Sequence, residues 1–539
     1  MKPLTYLVLV CALTGVANTS RAQQQPRTID ITSTFKPSLL PSQKINFAAS
    51  PFVRDSSRRV MAYQLPNQNL QIKFFPAPVS PLAYEGKLTE TAKDNFYVKA
   101  GYGNLQSPYL KALATLGTNE YFNGNIRLAY DGAKGELIKQ KYSNLDLGIN
   151  TVQHLDENNS LELYGGFQLQ STYRYGGLDK DSAAKANSEK LSYTDIMLGT
   201  RLNNRSDNSL GIKMEGNLEL HAFSDNHKSR ELSLIFDVPF TKKFSDQFTA
   251  SIKAKGIFSF LNKPSVDYGN HLISFPTQLS FLAFENLKIN AGLTPALANG
   301  EFKVLPDVSA ELLLPDNNLV IQAGMSGYFT EQTYRRLANM NLWIVAPDSL
   351  IHTSTVELFG AIKTSLAENV QLRVKAGYGK MRNLPVFMMS GRYLDSFSVA
   401  NADEVNRMNI TAELDYHISD KVSWNTSLTV NKYGDVNVTS KPYGYLPLEI
   451  RSSLEWKPIN KLSVNADLYK FSGAWFNEKN GGNHRGDGGF DLNAGAGYRI
   501  IPEIGIWLQV KNLLGMDYTR WRGYSAVGQQ ILGGITIHL

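Results

Sequence analysis

The eight histidines are the first place to look for chemistry: His154, His221, His227, His271, His352, His417, His484 and His538. They are scattered, with no H-x-x-E-H or similar spacing that would bring two imidazoles to one metal ion. His417 has the parity of an inward-facing strand residue, yet no Gly-x-Ser-x-Gly or equivalent nucleophile motif accompanies it. It therefore reads as a solvated histidine rather than part of a hydrolase, and neither an enzyme nor a bound cofactor is expected. Arg485-Gly486-Asp487 spells an adhesion tripeptide, a three-letter match that carries no weight alone.

Aromatic and arginine side chains collected in a few links are the better lead. Tyr334, Arg335, Arg336 and Trp343 share one link, and Phe387, Met388, Met389, Arg392 and Tyr393 share a second. Trp475 and Phe476 begin a third, and Tyr518, Arg520, Trp521, Arg522 and Tyr524 fill the last. These are the residue types of binding hot spots. Near strand ends (Tyr433, Tyr445, Trp475, Tyr518) they read as the girdle a membrane barrel needs at its interfaces. In mid-link, Arg336, Trp343, Phe387, Met389, Arg392, Trp521 and Arg522 are candidates for contact with a ligand or a partner.

What must position them is a long series of strands. Ile504, Ile506, Leu508 and Val510 alternate with Gly505, Trp507, Gln509 and Lys511, and Ile535, Ile537 and Leu539 alternate with Gly534, Thr536 and His538. A period of two with one apolar and one polar face is a half-buried strand. The pattern recurs at 96–102, 125–130, 248–255, 371–376, 409–416 and 424–430, with no helical period of comparable length. Short polar turns, such as Asp156 to Ser160 and Ser419 to Lys421, alternate with longer links. The longer links include Arg174 to Ser188, Leu261 to Asn270, Glu331 to Leu350, Met381 to Glu404, Tyr433 to Tyr445, Phe476 to Asp487 and Met516 to Gln529. Short–long alternation is the habit of an outer-membrane barrel, with turns in the periplasm and loops outside. The fold expected is all-β: a transmembrane antiparallel barrel of about 22 strands (range 18–22) over residues 93–539, both termini periplasmic. The bland alternative for the last hairpin, a soluble sandwich, has no reason to keep that parity.

A charge costs roughly 2–4 kcal/mol at mid-depth on a lipid face. The polar faces therefore point to the lumen, and with them Lys253, Lys255, Arg373, Lys375, Glu413 and Asp415. Mixed signs argue against a strongly ion-selective pore.

The N-terminus narrows the compartment. Lys2, the apolar run Leu4 to Leu13, and Ser20-Arg21-Ala22 read as a cleaved signal over residues 1–22, too short for a membrane span. Cys11, the one cysteine of the 539 residues, lies inside it, so no disulfide framework is expected. Net charge is +7; without Lys2 and Arg21 it is 53 − 48 = +5, too mild and dispersed for a nucleic-acid partner. Residues 23–92 hold eight prolines (26, 37, 41, 51, 66, 76, 78 and 81) and no sustained alternation. Proline cannot donate to a ladder, so this segment is expected to be extended, as a partial lumen plug or a periplasmic tail. Phe35, Phe47, Phe52, Phe74 and Phe75, with Arg54, Asp55, Arg58 and Arg59, could pin it to the inner wall.

The C-terminal residues Val510-Lys511-Asn512-Leu513-Leu514-Gly515-Met516-Asp517-Tyr518, then Gly523-Tyr524, then Gly533-Gly534-Ile535-Thr536-Ile537, resemble the last hairpin of TonB-dependent outer-membrane receptors. Thr28-Ile29-Asp30-Ile31-Thr32 faintly resembles their TonB-contacting box. The resemblance implies a transport or receptor barrel of a Gram-negative outer membrane, inserted by barrel assembly machinery into outer-membrane lipid, with TonB-type energy coupling. It departs from the family in length, because residues 23–92 are too few for the globular plug such receptors carry. The rival expectation is an accessory barrel of an outer-membrane assembly complex, docking an envelope protein partner through its loops or N-terminal segment.

Overall fold

The computed structural model describes residues 96–539 except 119–120, 157, 177–188, 205–210, 265, 315–318, 368, 391–394, 419–420 and 479. The expectations for residues 1–92, including the signal, the plug or tail and the Thr28–Thr32 box, lie outside the described residues.

The strands close on themselves. Phe96–Gly103 pairs with Ser107–Thr118 on one side and with the last strand, Gln530–His538, on the other. Every neighbouring pair in the ring is antiparallel, and the ring counts 22 strands. One position is held by two segments, Val266–Ser274 and Thr277–Phe284, which share the neighbours Phe248–Lys263 and Leu287–Ala298. The break falls at Pro276, which has no N–H for the ladder. Its carbonyl still accepts from the Lys253 amide at 2.8 Å. Closure satisfies backbone groups that no lipid could. Among the described residues no helix is long and apolar enough to cross a membrane.

The side chains follow the alternation. On Ile504–Lys511 the residues Ile504, Ile506 and Leu508 are exposed, while Gly505, Trp507, Gln509 and Lys511 turn inward and are buried. Exposed aromatics gather at both rims: Tyr121, Phe244, Phe284, Trp456 and Tyr498 where the turns lie, and Tyr102, Phe260 and Phe302 where the loops lie. At the seam, Trp507 lies over Gly101 and donates through Nε1 to Ala100 O at 3.2 Å and to Ile535 O at 3.3 Å. A Cβ on Gly101 would sit 2.4 Å from the indole, so the closing seam requires glycine there.

Two expectations about the links need correction. The stretches Leu261 to Asn270 and Met381 to Glu404 are not long loops. Phe248–Lys263 continues almost into Val266–Ser274, and Val370–Ser390 and Ser396–Ile418 form one long hairpin. Polar residues at strand ends mimic a loop in sequence, whereas the ladder carries them through. Nor is the short–long alternation strict, since Asn104 to Gln106 and Asn299-Gly300 are tight connections on the loop rim.

Candidate functional site

The loop rim is where the aromatic and arginine candidates converge. After the strand Leu319–Thr330, the chain folds into a short helix, Tyr334–Met340, and a coil that runs to the strand Thr353–Ala367. Thr333 is the N-cap, its Oγ1 accepting from the Arg336 amide at 3.0 Å. The amides of Tyr334 and Arg335 donate to the Glu231 carboxylate at 2.8 and 2.9 Å, and Ser259 Oγ donates to the same carboxylate at 2.7 Å. The free N–H groups of the first turn thus find partners on strands that are not this loop's neighbours in the ring. Tyr334 donates through its hydroxyl to Asp225 at 2.6 Å, and Tyr193 to Leu342 O at 2.8 Å. Together these bonds fasten the loop as a lid to the inner wall.

The lid's core is apolar and assembled from several loops. Trp343 and Tyr524 stack with centroids 3.8 Å apart, and Tyr175 meets both edge-on. Trp521 contacts Phe387 at 5.1 Å, Phe397 at 5.3 Å and Phe476 at 6.0 Å. Wall residues Leu191, Tyr193, Phe223 and Leu261 complete the cluster from beneath.

The long hairpin enters this cluster with both edges covered. On one edge the Val345 amide donates to Phe397 O at 2.8 Å, and the Phe397 amide to Trp343 O at 2.9 Å. On the other edge the Met389 amide donates to Asn477 Oδ1 at 2.6 Å, and Asn477 Nδ2 donates to Met389 O at 3.0 Å. At Phe397 and Met389 the two edges are thus occupied by neighbouring loops of the same chain.

Each sequence candidate can now be placed. Trp343, Phe387, Met389 and Trp521 are brought together, all buried in the lid core. Arg336, on the helix, is half-buried, and burial lowers its pKa. Arg522 reaches Glu478 at 3.5 Å from a partly exposed position. Arg392 lies outside the described residues. Tyr445 and Tyr518, read from the sequence as girdle residues, belong to the loop packing instead: Tyr445 donates to Pro385 O at 2.7 Å and Tyr518 to Asp491 at 3.0 Å. Burial pushes both hydroxyls well up, as it does those of Tyr334 and Tyr524.

The six lumen charges do not form one site. Arg373 pairs with Glu413 at 3.0 Å and approaches Asp415 at 4.0 Å. Lys375 pairs with Glu357, which also takes Arg407 at 3.2 Å. Lys253 meets Asp237 at 3.3 Å, and Lys255 meets Glu331 at the foot of the lid at 3.0 Å. Among the described residues no group of three or more His, Cys, Asp or Glu side chains is placed to hold a metal ion.

The sequence reading missed Glu231 and the inward-facing wall residues Leu191, Tyr193, Phe223 and Leu261. A signal for the wall residues exists. Along each of these strands the inward parity is polar in mid-strand, as at Asp195, Glu219, His221, Lys253 and Lys255, and turns apolar toward the loop end. An apolar residue facing inward at a rim asks for something to cover it.

No protein-family model and no curated protein matches the sequence. Solved structures do match in fold. The FrpB iron transporter of Neisseria meningitidis superposes with a TM-score of 0.64 at 8% identity, covering 82% of this chain and 81% of that one. The ferripyoverdine receptor of the Pseudomonas aeruginosa outer membrane gives 0.61 at 11% identity, over 83% and 72%. The siderophore receptor PirA of Acinetobacter baumannii gives 0.60 at 10%, over 82% and 80%. The chain therefore carries a closed 22-strand antiparallel barrel that is similar in fold to these solved iron and siderophore receptors.

Proposed function

We propose that this chain is a transport receptor of a Gram-negative outer membrane, with its turn rim and both termini periplasmic and its loop rim outside. In this reading the packed lid is the gate a solute must open. The observation that carries it is the burial of Trp343, Phe387, Met389 and Trp521 inside the mouth of a closed ring. A barrel of this strand number has a bore far wider than its side chains fill. A membrane cannot tolerate that opening unobstructed, and an apolar cap across one rim supplies a seal. The same burial weighs against docking of an envelope protein through these loop side chains, one of the two routes of the accessory-barrel reading. Candidate ligand contact by these residues belongs to the opened state. The iron and siderophore traffic of the similar structures suggests a solute of that order of size. Coupling to a TonB-type partner remains part of the proposal through the Thr28–Thr32 resemblance.

The test is conductance of the full chain in planar bilayers against the double variant Trp343→Ala/Tyr524→Ala. The reading expects the wild type to be nearly closed and the variant to conduct while keeping the heat-modifiable migration of a folded barrel. Equal conductance of the two would remove the lid from any gating role.

A further inference from the structure

Four neighbouring strands share an outward face that changes chemistry in layers. They are Phe122–Lys134, Lys141–His154, Asn159–Tyr173 and Lys190–Asn204, joined antiparallel in that order. Near mid-strand one cross-strand row holds Leu128, Leu147, Phe167 and Ile196. Two rows closer to the loops it is Gly132, Ser143, Ser171 and Ser192, with the Ser171 and Ser192 hydroxyls 3.0 Å apart. In the last row Lys134 stands opposite Lys141, and Tyr173 opposite Lys190. These positions share the parity of Ile126, Leu147, Leu163 and Ile196, all exposed, so the layered face looks away from the lumen.

The turn 135–140 adds a fourth cation. The Lys139 ammonium lies 5.2 Å from the centre of the Tyr173 ring, so the turn leans outward over the wall. Gln140 holds it there: its Oε1 accepts from the Leu137 amide at 3.2 Å, and its Nε2 donates to Ser525 O at 3.0 Å and Ala526 O at 3.1 Å. Leu137 and Ile138 are left 49% and 68% exposed in this fixed turn. Exposed apolar residues among lysines are the composition of a segment lying at a lipid headgroup layer.

Among the described residues these four lysines form no ion pair. Of the carboxylates alongside, Glu136 is exposed in the same turn, and Glu189 is taken by Arg174 at 2.5 Å and His227 at 2.6 Å. Like charges directly opposite, as at Lys134 and Lys141, destabilise a strand pair unless an anion lies between them. Elsewhere on the outward wall the balance differs. Lys380 and Arg382 share Glu404 at 2.6 and 3.3 Å, and on Leu287–Ala298 and Glu301–Leu314 the exposed face stays apolar through Leu297 and Phe302.

We propose that this sector binds the phosphate-bearing headgroup of a membrane lipid on the outside of the barrel. Ammonium groups are point-charge partners for phosphate oxygens, and basic clusters beside a membrane span recruit anionic headgroups. Lys134, Lys141 and Lys190 take the phosphate, and Lys139 approaches it from the turn. The serine row meets the glycerol or sugar oxygens beneath, and the acyl chains run down the apolar rows. The site rests on the membrane placement of the proposed function and not on its gate.

The test is native mass spectrometry of the full chain, delipidated in a neutral detergent and offered one lipid at a time. The lipids are phosphatidylglycerol, a diphosphorylated glucosamine lipid, and phosphatidylcholine as the control without net charge. Wild type should hold its first copy of at least one anionic lipid roughly tenfold more tightly than phosphatidylcholine. Phosphatidylglycerol alone would assign a glycerophospholipid, and the glucosamine lipid alone a phosphorylated glycolipid. Lys134→Gln/Lys141→Gln/Lys190→Gln should lose the preference, whereas Lys380→Gln/Arg382→Gln, whose cations already have Glu404, should keep it. Lys139→Gln, outside the ladder, serves as second variant if the triple variant does not assemble, and should weaken the preference in part. No preference in wild type, or a preference untouched by the lysine variants, would overturn the proposal. Equal loss in Lys380→Gln/Arg382→Gln, or release of the lipid by an equal concentration of inorganic phosphate, would overturn it as well. A lipid preference with unchanged conductance in Trp343→Ala/Tyr524→Ala would keep this site and discard the gate, and the reverse result would discard this site alone.

Discussion

Trp343 and Tyr524 come from two separate loops, yet their rings stack at 3.8 Å with 22° between planes, and both are almost wholly removed from solvent. The Trp343 Nε1 donates to Tyr173 O at 3.0 Å, and the Tyr524 hydroxyl donates to Asp395 O. The pair therefore joins the lid loop and the final loop to the Asn159–Tyr173 strand and to the tip of the long hairpin. Trp343→Ala should cost the lid about 3–5 kcal/mol, the usual result of emptying a buried aromatic site. The barrel should persist, because its ladder does not depend on the lid. Protease cleavage within residues 331–352 should become rapid in the variant while the strands stay protected.

Gly444 supports the same core through its backbone. Its φ is +85°, and a Cβ there would lie 2.8 Å from the Trp521 ring and 2.9 Å from the Phe387 ring. Gly444→Ala should thus be strained by conformation and by contact. The expected outcome is a lid as protease-sensitive as that of Trp343→Ala, with normal heat-modifiable migration. A resistant lid would show that the 443–445 turn adjusts freely.

His352 gives the lid a pH dependence. Burial pushes its pKa down to about 4, with Glu331 opposing and His271 adding to the fall; its Nδ1 accepts from the Gln332 amide at 3.1 Å. A histidine held neutral in the folded lid but titrating near 6.5 when released favours the lid fully above pH 6.5. That contribution is lost as pH falls from about 6.5 toward about 4. The whole change is on the order of 3 kcal/mol. Cleavage of the lid loop should accelerate over that window in wild type and stay flat in His352→Gln.

Ser427 and Leu428 are adjacent but face opposite ways. Ser427 pairs across to Glu413 and Arg451, and Leu428 to Ala412 and Ile450. Leu428→Arg should impair assembly by roughly 2–4 kcal/mol, the cost of a cation at mid-depth on the lipid side. Ser427→Arg gains Glu413 as a neighbour and should insert normally. Equal membrane yields of the two would invert the assigned faces.

The seam offers a further check. Gly101→Val should displace Trp507 from the Ala100 and Ile535 carbonyls and leave the first and last strands unpaired. Tyr102→Ala, one residue on and facing lipid, should close normally. Heat-modifiable migration separates the outcomes.

The period of two along Ile504–Lys511 and its counterparts was enough to determine a barrel, its approximate strand number and which residue faces which way. Alternation is local, and each strand repeats it whatever the other strands do. Closure at Ala100 against Ile535, and the inward placement of Arg373 with Glu413, follow from that pattern once the ends must meet. The destination of Trp343, Phe387 and Trp521 was not legible in the same way. A run of aromatics in a loop reads alike whether it lies on a surface or fills a core, because the difference is made by partners far away in the chain. Tyr524 covers Trp343, Gly444 makes room for Trp521, and Glu231 on a distant strand caps the helix that carries Arg336. Only the tertiary structure decides those meetings, since they depend on ring closure bringing loops from several hairpins over one mouth.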